Sequence, residues 1–253
     1  MWFYDWRKDL KYLNPAGYFV NDGTISSGGF FTENSPEWMI KEAPFAYEIE
    51  LIHKIANDYA DPTKDFIDIG SHVGVYTIIL GNAFNKTYAF EPNKEIYNFL
   101  CANIAIKEND FWKKVDTYNL GISNINGELP FIKRGNDGEA NGFEEIKEYR
   151  ESEVDGLLPV KTLDSFKFDN VGFIKIDVEG HEKSVIEGAI NTIINNNYPP
   201  ILFESWEPGK RSIYDDDFLI KNRKELFETI ESLGYKIKKL LPNWNEQLIA
   251  IKE

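Results

Sequence analysis

The sequence predicts an α/β fold in which a mostly parallel sheet carries helices on both faces and ends in a C-terminal antiparallel hairpin. Short apolar runs that suit buried strands alternate with longer segments whose apolar residues recur every three to four positions. Such alternation is typical of parallel strands joined by crossover helices. The 253 residues, 42% of them hydrophobic, suffice for one large core. We therefore expect a single Rossmann-like domain over residues 1–253.

Five apolar runs mark the predicted parallel strands, which we place at 66–70, 88–92, 115–121, 173–180 and 200–205. Helices are expected after Pro44, over the apolar segment 73–84, and after Asn93, a suitable N-cap. A further apolar stripe between the last two parallel strands predicts another crossover helix. The final helix should end at Gly234 and lead into the hairpin formed by YKIKKL and LIAIK.

Two segments depart from this pattern. Residues 1–43 are an irregular lead-in that is rich in aromatics, Gly and Asn. Residues 134–157 form an acidic insertion, which follows a candidate hairpin at GISNINGELPFIK and holds eight acidic and two basic residues between 137 and 155. Its polarity fits either a solvated excursion or a flap over a crevice at the carboxyl ends of the strands, and both interpretations stay open.

Charge and composition exclude several classes of function. The formal charge of −14 disfavours binding to nucleic acid and adsorption to anionic membranes. No apolar stretch approaches the ~20 residues of a membrane span, and the first residues lack the apolar stretch of a signal peptide. The single cysteine, Cys101, cannot form an internal disulfide. These observations predict a cytoplasmic protein without membrane insertion; a homodimer stays open.

The stretch DIGSHVGVYT predicts a ligand-binding turn between the first strand and a helix. Gly70 permits a tight turn, and Gly74 permits close approach of a ligand or of backbone. The dinucleotide pattern GxGxxG fails because His72 and Val75 occupy its second and third glycine positions. The remaining DxGxxxG spacing suits a ligand that carries a carboxylate and an ammonium group.

Glu91 supplies a second part of the predicted site. It follows the second strand, 21 positions after Gly70, where a Rossmann-like fold places an acid that accepts hydrogen bonds from ribose hydroxyls. Together the glycine turn and this acid point to an adenosine that carries an amino acid.

The segment KIDVEGHE at the end of the fourth strand supplies a third part. Asp177, Glu179 and His181 would meet the reacting end of the ligand as general base, orienting carboxylate or ligands of a hard cation. His181 would begin the next helix, where the dipole favours a neutral imidazole; the alternative is an exposed helix-cap residue. Glu204 ends the next strand, so that two acids could bind a divalent metal, although no specific metal motif is present.

The order and spacing of these motifs resemble the FkbM family of S-adenosylmethionine-dependent methyltransferases. The resemblance covers residues 65–205, and KIDVEGHE is among its more specific signatures. It implies a class I methyltransferase sheet, S-adenosylmethionine as cofactor, and O-methylation of a sugar hydroxyl in a glycan or natural product. The segments that carry it are FIDIGSHVGVYT, YAFEPNKEIYNFLCANIAI, NLGISNINGELPF, VKTLDSF, FIKIDVEGHEKSVIEGA and PPILFES.

Site roles carried over by position are expectations of this resemblance. The turn would contact the methionine part of the cofactor, Glu91 the ribose, and Gly121 with Ile122 the surroundings of the adenine. The acidic segment after the fourth strand would face the methyl group and the acceptor. Ser71 and His72 replace the small-plus-Asn pair common in the family. The residues assigned to the turn are Asp68, Gly70, Ser71, His72 and Gly74, and those assigned to the reacting end are Asp177, Glu179 and His181.

A sugar hydroxyl is a weak nucleophile, so we expect His181 or Asp177 to act as its base. Glu204 would bind hydroxyls of the acceptor and Trp206 would stack on its ring. A neutral, hydroxyl-rich acceptor suits the acidic surface better than a phosphorylated one. Three alternatives stay open: a Mg²⁺-assisted transfer to a phenolic or other natural-product hydroxyl through Asp177 and Glu204, a cofactor-binding scaffold without turnover, and an NAD-linked oxidoreductase.

Overall fold

The computed structural model describes residues 46–107, 110–132, 142–143, 154–209, 216–241 and 245–253. The lead-in 1–43 and most of the insertion 134–157 lie outside these residues. The helices are α1 (Ala46–Tyr59), α2 (Val75–Ile79), α3 (Lys94–Ile106), α4 (Glu182–Glu187), α5 (Ile190–Asn195) and α6 (Asp216–Ser232). The strands are β1 (Asp65–Ile69), β2 (Thr87–Phe90), β3 (Val115–Tyr118), β4 (Gly121–Ile122), β5 (Gly127–Ile132), β6 (Gly142–Phe143), β7 (Val154–Lys161), β8 (Val171–Ile176), β9 (Ile201–Glu204), β10 (Lys236–Lys239) and β11 (Gln247–Ile251).

The main sheet has seven strands in the order β10-β11-β9-β8-β1-β2-β3. Strands β9, β8, β1, β2 and β3 pair in parallel, and β11 is antiparallel to both β9 and β10. The predicted parallel sheet with a C-terminal antiparallel hairpin is therefore confirmed. Both faces of the sheet are covered, so β1 is buried along its whole length. This burial explains why the central strands are continuous apolar runs in the sequence.

Helices cover both faces of this sheet, as predicted. Successive side chains of a strand point to opposite faces, so Phe66 packs with α1, α2 and α3, and Ile67 packs with α4, α5 and α6. Phe173 and Ile174 of β8 divide in the same way. The sheet therefore separates two apolar cores, and the polar groups at its carboxyl edge lie between them.

The helix boundaries follow local signals. Asn93 caps α3, since its Oδ1 accepts hydrogen bonds from the backbone N–H groups of Glu95 and Ile96 at 3.0 and 3.3 Å. Gly234 adopts a left-handed conformation (φ +83°) after α6, as predicted. The helix expected over 73–84 is shorter than predicted: α2 ends at Ile79 and a 3₁₀ turn follows. No helix in the described ranges is long and apolar enough to cross a membrane.

A second, four-stranded sheet in the order β4-β7-β5-β6 was not predicted. Strand β7 pairs in parallel with β4 and antiparallel with β5. The predicted hairpin at GISNINGELPFIK is therefore wrong, since β4 and β5 both pair with β7 instead of with each other. Strand boundaries also change. β3 ends at Tyr118 instead of residue 121, β8 runs from Val171 to Ile176 instead of 173–180, and β7 begins at Val154, inside the predicted insertion.

Candidate active site

The carboxyl ends of four adjacent parallel strands meet at one edge of the main sheet. They lead into the glycine turn after β1, Glu91 after β2, Asp177 after β8, and Glu204 at the end of β9. Open α/β sheets bind ligands at this edge. Residues that are far apart in the sequence are thus brought together by strand order alone.

The glycine turn is held between β2 and the segment after β8. Gly70 has a φ of +75°, and the backbone N–H groups of Gly70 and Ser71 both donate to the carbonyl of Phe90 at 3.0 Å. A Cβ atom on Gly70 would lie 1.8 Å from the carbonyl oxygen of Asp177. Gly70 is therefore required by the contact between two strand ends as well as by its left-handed backbone.

Gly74 and Asp68 stabilise the turn through contacts with α2 and α3. Gly74 has a φ of +97°, and a Cβ there would lie 2.8 Å from Leu100 Cδ1 of α3. The fully buried Asp68 accepts a hydrogen bond from Thr77 Oγ1 at 2.5 Å, and its carbonyl accepts one from Ser71 Oγ at 2.8 Å. Burial raises the pKa of Asp68, against an opposing effect of Lys175. The carboxylate therefore braces the turn between β1 and α2.

Glu91 joins the turn to the end of β2. Its Oε2 accepts a hydrogen bond from the backbone N–H of His72 at 3.0 Å, and its Oε1 accepts one from that of Asn93 at 2.8 Å. Burial raises the pKa of Glu91 to about 7, although both hydrogen bonds favour the ionised form. Asn119, after β3, donates to the carbonyls of Glu91 and Pro92 at 2.9 Å. The ends of β2 and β3 are thereby tied together.

Three carboxylates form a cluster at the ends of β8 and β9. Asp177, Glu179 and Glu204 each offer an oxygen, and these three atoms lie within 4.8 Å of one another. Trp206 Nε1 donates to Glu204 Oε2 at 2.9 Å, and a Cβ on Gly180 would lie 3.3 Å from the Trp206 ring. Trp206 is thus buried between Glu204 and the acidic loop, which comprises residues 177–182.

Two residues that the sequence analysis did not assign organise this region. Lys175 of β8 is buried, and its Nζ donates to the Gly70 carbonyl at 2.9 Å. Glu182 is also buried, and its Oε1 accepts from the backbone N–H groups of Val178 and Gly180 at 3.1 and 3.2 Å. Burial raises the pKa of Glu182 to about 7. The alternation Lys-Ile-Asp indicates that Lys175 and Asp177 point to the same side of the strand. The sequence does not show that Lys175 and Glu182 are buried.

His181 is the N-cap residue of α4, as expected for the start of a helix, but it is 2% exposed, so the alternative of an exposed cap is wrong. Its Nε2 lies 3.0 Å from Ser123 Oγ, just after β4, and its ring centroid lies 5.7 Å from that of Phe143. Burial lowers the pKa of His181 to about 4. The imidazole is therefore neutral and joins the two sheets.

Gly121 and Ile122 also lie where the two sheets meet. A Cβ on Gly121 would lie 2.2 Å from the Phe143 ring, and Ile122 is buried in the core that includes α4, α5 and α6. A Cβ on Gly142 would lie 3.3 Å from Glu179 Cβ. The two described residues at the centre of the acidic insertion therefore contact both β4 and the acidic loop.

Comparison with known proteins identifies the family. Residues 68–237, more than half of the chain, match the model of the methyltransferase FkbM domain. The hexuronic acid methyltransferase AglP of Haloferax volcanii is 26% identical over 176 residues, which cover 66% of this chain and 67% of that protein. The crystal structure of the methyltransferase FkbM from Methylobacillus flagellatus superposes with a TM-score of 0.50 at 18% identity, over 75% of this chain and 43% of that one. The chain thus covers less than half of that solved protein, and the superposition shows a similar fold. The protein belongs to the FkbM family of methyltransferases.

Proposed function

We propose that the protein transfers a methyl group from S-adenosylmethionine to a hydroxyl of a sugar or glycoconjugate. The observation that carries this proposal is that three adjacent strands bring the Gly70 turn, Glu91 and Asp177 to one edge of the sheet. In a methyltransferase family, a glycine turn, an acid after β2 and an acid after β8 at one sheet edge support binding of a nucleoside cofactor there. The related hexuronic acid methyltransferase supports a sugar acceptor.

The charged groups at this edge suit S-adenosylmethionine as a ligand. Acids line the edge and suit a ligand that carries positive charge and hydroxyl groups, whereas a diphosphate would be repelled. The turn 70–74, braced by Asp68, would hold the methionine part, and Glu91 would accept hydrogen bonds from the ribose. The segment from Asn119 to Ile122 would border the adenine. Bound there, S-adenosylmethionine would supply a methyl group made electrophilic by its sulfonium.

Asp177 is our candidate for the general base. Its side chain is 23% exposed at the strand end, whereas His181 is buried and its Nε2 is occupied by Ser123. Asp177 would accept the proton of the acceptor hydroxyl as the new C–O bond forms, and Glu179 and Glu204 would bind neighbouring hydroxyls. The main task of the site is to hold the acceptor oxygen within attack distance.

Calorimetric titration with S-adenosylhomocysteine tests the cofactor. Methyl transfer is then measured by mass spectrometry on p-nitrophenyl β-D-glucuronide, p-nitrophenyl β-D-glucoside and a phenol that carries no sugar. We expect binding of the nucleoside and methylation of at least one glycoside. Absence of S-adenosylhomocysteine binding, or methylation of the phenol alone, would contradict the proposal.

Replacement of the base gives a second test. Asp177→Asn should lower kcat about 10²-fold, the scale of a lost general base, with little change in S-adenosylhomocysteine affinity. Asp116→Asn is the matched control, because it makes the same change at an exposed carboxylate that pairs with Lys86 on the sheet. Wild-type kcat in Asp177→Asn would remove Asp177 from this role.

Metal-assisted transfer is the second candidate, and the carboxylate cluster favours it. Three oxygens within 4.8 Å of one another match the ligand preference of a hard cation such as Mg²⁺. Under this alternative, dialysis against EDTA should abolish turnover and Mg²⁺ should restore it, and Glu204→Gln should weaken that recovery. Turnover that is unchanged by EDTA would leave the metal-free reaction.

A further inference from the structure

Lys175 is the only buried cation among the lysines and arginines that the structure describes, with 4% of its surface exposed. It lies opposite Asp68 in the parallel pairing of β8 with β1. Its ammonium therefore lies in the protein interior, next to the place where the glycine turn and Asp177 meet. Burial of a lysine is unfavourable unless the charge is compensated, so its contacts there need an explanation.

The Lys175 ammonium contacts groups from both sides of the site. Nζ donates a hydrogen bond to the carbonyl of Gly70 at 2.9 Å and lies 3.4 Å from Asp177 Oδ2. It also lies 3.7 Å from Asp68 Oδ1 and 5.0 Å from the centroid of the Tyr76 ring. The Lys175 ammonium thus contacts the glycine turn, Asp68 and the proposed base Asp177.

Backbone contacts already join the same two segments. The N–H of Asp177 donates to the carbonyl of Ile69 at 3.0 Å, and the Asp177 carbonyl packs against Gly70. These contacts fix the Asp177 backbone but leave its side-chain torsions free. Among the residues that the structure describes, Lys175 is the cation that forms an ion pair with the Asp177 carboxylate, the group that would take the proton in the proposed reaction.

Stability alone is a poor reason to retain such a group. A buried ion pair is often replaced by apolar residues of similar volume without loss of stability, because desolvation offsets the attraction. An apolar residue at position 175 could fill the space beside Tyr76, but it could not hold a carbonyl and a carboxylate at the same time. The contacts therefore favour a role in geometry.

We propose that Lys175 is a positioning residue that holds the carbonyl of the cofactor turn at Gly70 and the carboxylate of Asp177 in a fixed relation. This inference rests on the proposed function and extends it to a side chain buried behind the reacting groups. Lys175 acts through its neighbours, so its loss should impair turnover beyond any effect on folding.

The test separates this role from simple neutralisation of Asp68. Lys175→Met alone would leave the Asp68 carboxylate buried without its cation, so the substitution is also made in an Asp68→Asn background. We expect the double variant to fold, as judged by thermal unfolding, and to show a kcat about tenfold or more below that of Asp68→Asn. Equal kcat and equal S-adenosylhomocysteine affinity in these two proteins would overturn the inference.

Lys175→Arg provides an independent arm that keeps the charge. The guanidinium is planar and longer, so it should displace the Asp177 carboxylate while leaving the charge near the turn. We expect S-adenosylhomocysteine affinity within about threefold of wild type and kcat reduced about tenfold or more. Wild-type kcat in Lys175→Arg would show that charge alone suffices and would contradict positioning.

Lys183→Met is the matched control, since Lys183 pairs with Glu225 at 2.8 Å on the surface of α4 and α6. It should retain wild-type kcat and affinity. Kinetics use whichever of the p-nitrophenyl glucuronide and glucoside the wild type methylates. Failure of the wild type to bind S-adenosylhomocysteine would refute the proposed function itself, whereas wild-type activity together with unaffected Lys175 variants would refute only the positioning role.

Discussion

The imidazole Nε2 of His181 lies 3.0 Å from the hydroxyl oxygen of Ser123, across the junction of the two sheets. Burial keeps this imidazole neutral, with a pKa of about 4. The pair links Ser123, the first residue after β4, to His181 at the start of α4. It therefore stabilises the contact between the second sheet and the acidic loop. The sequence predicts that His181 or Asp177 acts as the general base, and the buried pair with Ser123 favours a structural role for His181 instead.

A double-mutant cycle on this pair distinguishes the two roles. His181→Ala should lower the free energy of unfolding by about 2–4 kcal/mol, because it leaves a cavity and removes the imidazole partner of the buried Ser123 hydroxyl. Ser123→Ala should lower it by about 1–2 kcal/mol. We expect a coupling of about 1 kcal/mol in urea unfolding and a kcat within about tenfold of wild type in both folded variants. A general base would instead show a loss of about 10²-fold in His181→Ala only.

The stability of the protein should depend on pH through Glu182. Its pKa of about 7 exceeds the ordinary value of 4.5, so the native state binds more protons than the unfolded chain between these values. The contribution of protonated Glu182 is present below pH 4.5 and is lost as pH rises through 7. Glu182→Gln keeps an oxygen for the N–H groups of Val178 and Gly180. It should gain stability relative to wild type across this range, by up to about 3 kcal/mol.

Urea unfolding of wild type and Glu182→Gln at pH 5 to 8 measures this difference. His181 acts in the opposite direction in both proteins, since its lowered pKa makes stability fall as pH drops from 6.5 towards 4. Subtraction of the two curves removes that contribution. A difference that does not change with pH would contradict the assignment to Glu182.

Cofactor affinity should also depend on pH, in this case through Glu91. The ionised carboxylate is the form that accepts hydrogen bonds from ribose, and its pKa is about 7. S-adenosylhomocysteine should therefore bind about tenfold more weakly at pH 6 than at pH 8, as measured by calorimetry. Glu91→Gln should weaken binding at both values and remove the dependence. A pH dependence that persists in this variant must arise from another group.

The glycine turn should not tolerate a side chain at Gly70. Gly70→Ala places a methyl group 1.8 Å from the Asp177 carbonyl oxygen on a left-handed backbone. We expect a loss of more than about 2 kcal/mol in unfolding free energy and weaker S-adenosylhomocysteine binding. Gly127→Ala is the control, since a Cβ there meets no atom within 4 Å, and it should change stability by less than about 0.5 kcal/mol. Similar behaviour of the two variants would show that the turn adapts to the methyl group.

Local patterns in the sequence determined the main sheet. The apolar run of β1 predicts a strand that is buried on both faces, and Asn93 and Gly234 predict helix ends that the structure confirms. These signals are local, because an N-cap or a left-handed glycine acts on the adjoining turn. The family could be recognised for a related reason: the turn, Glu91 and KIDVEGHE each follow one strand in a fixed order.

The second sheet could not be derived in this way. Strand β4 is only two residues long, and its partner β7 lies more than thirty residues further along the chain. Pairing over such a distance depends on tertiary packing, and turn residues between β4 and β5 favoured the wrong local hairpin. The described part of the acidic insertion shows the same limit, since Phe143 is buried within a very polar segment.

The sequence by itself determined which chemical groups stand at the carboxyl ends of the parallel strands, and so the class of reaction to expect. Only the tertiary structure decided what each group faces. It buried Lys175 between Gly70 and Asp177, turned His181 towards Ser123, and left Asp177 at the edge of the sheet. The physical reason is that strand alternation fixes the side of the sheet to which a residue points, whereas the charges and hydrogen bonds it meets there come from distant segments of the chain.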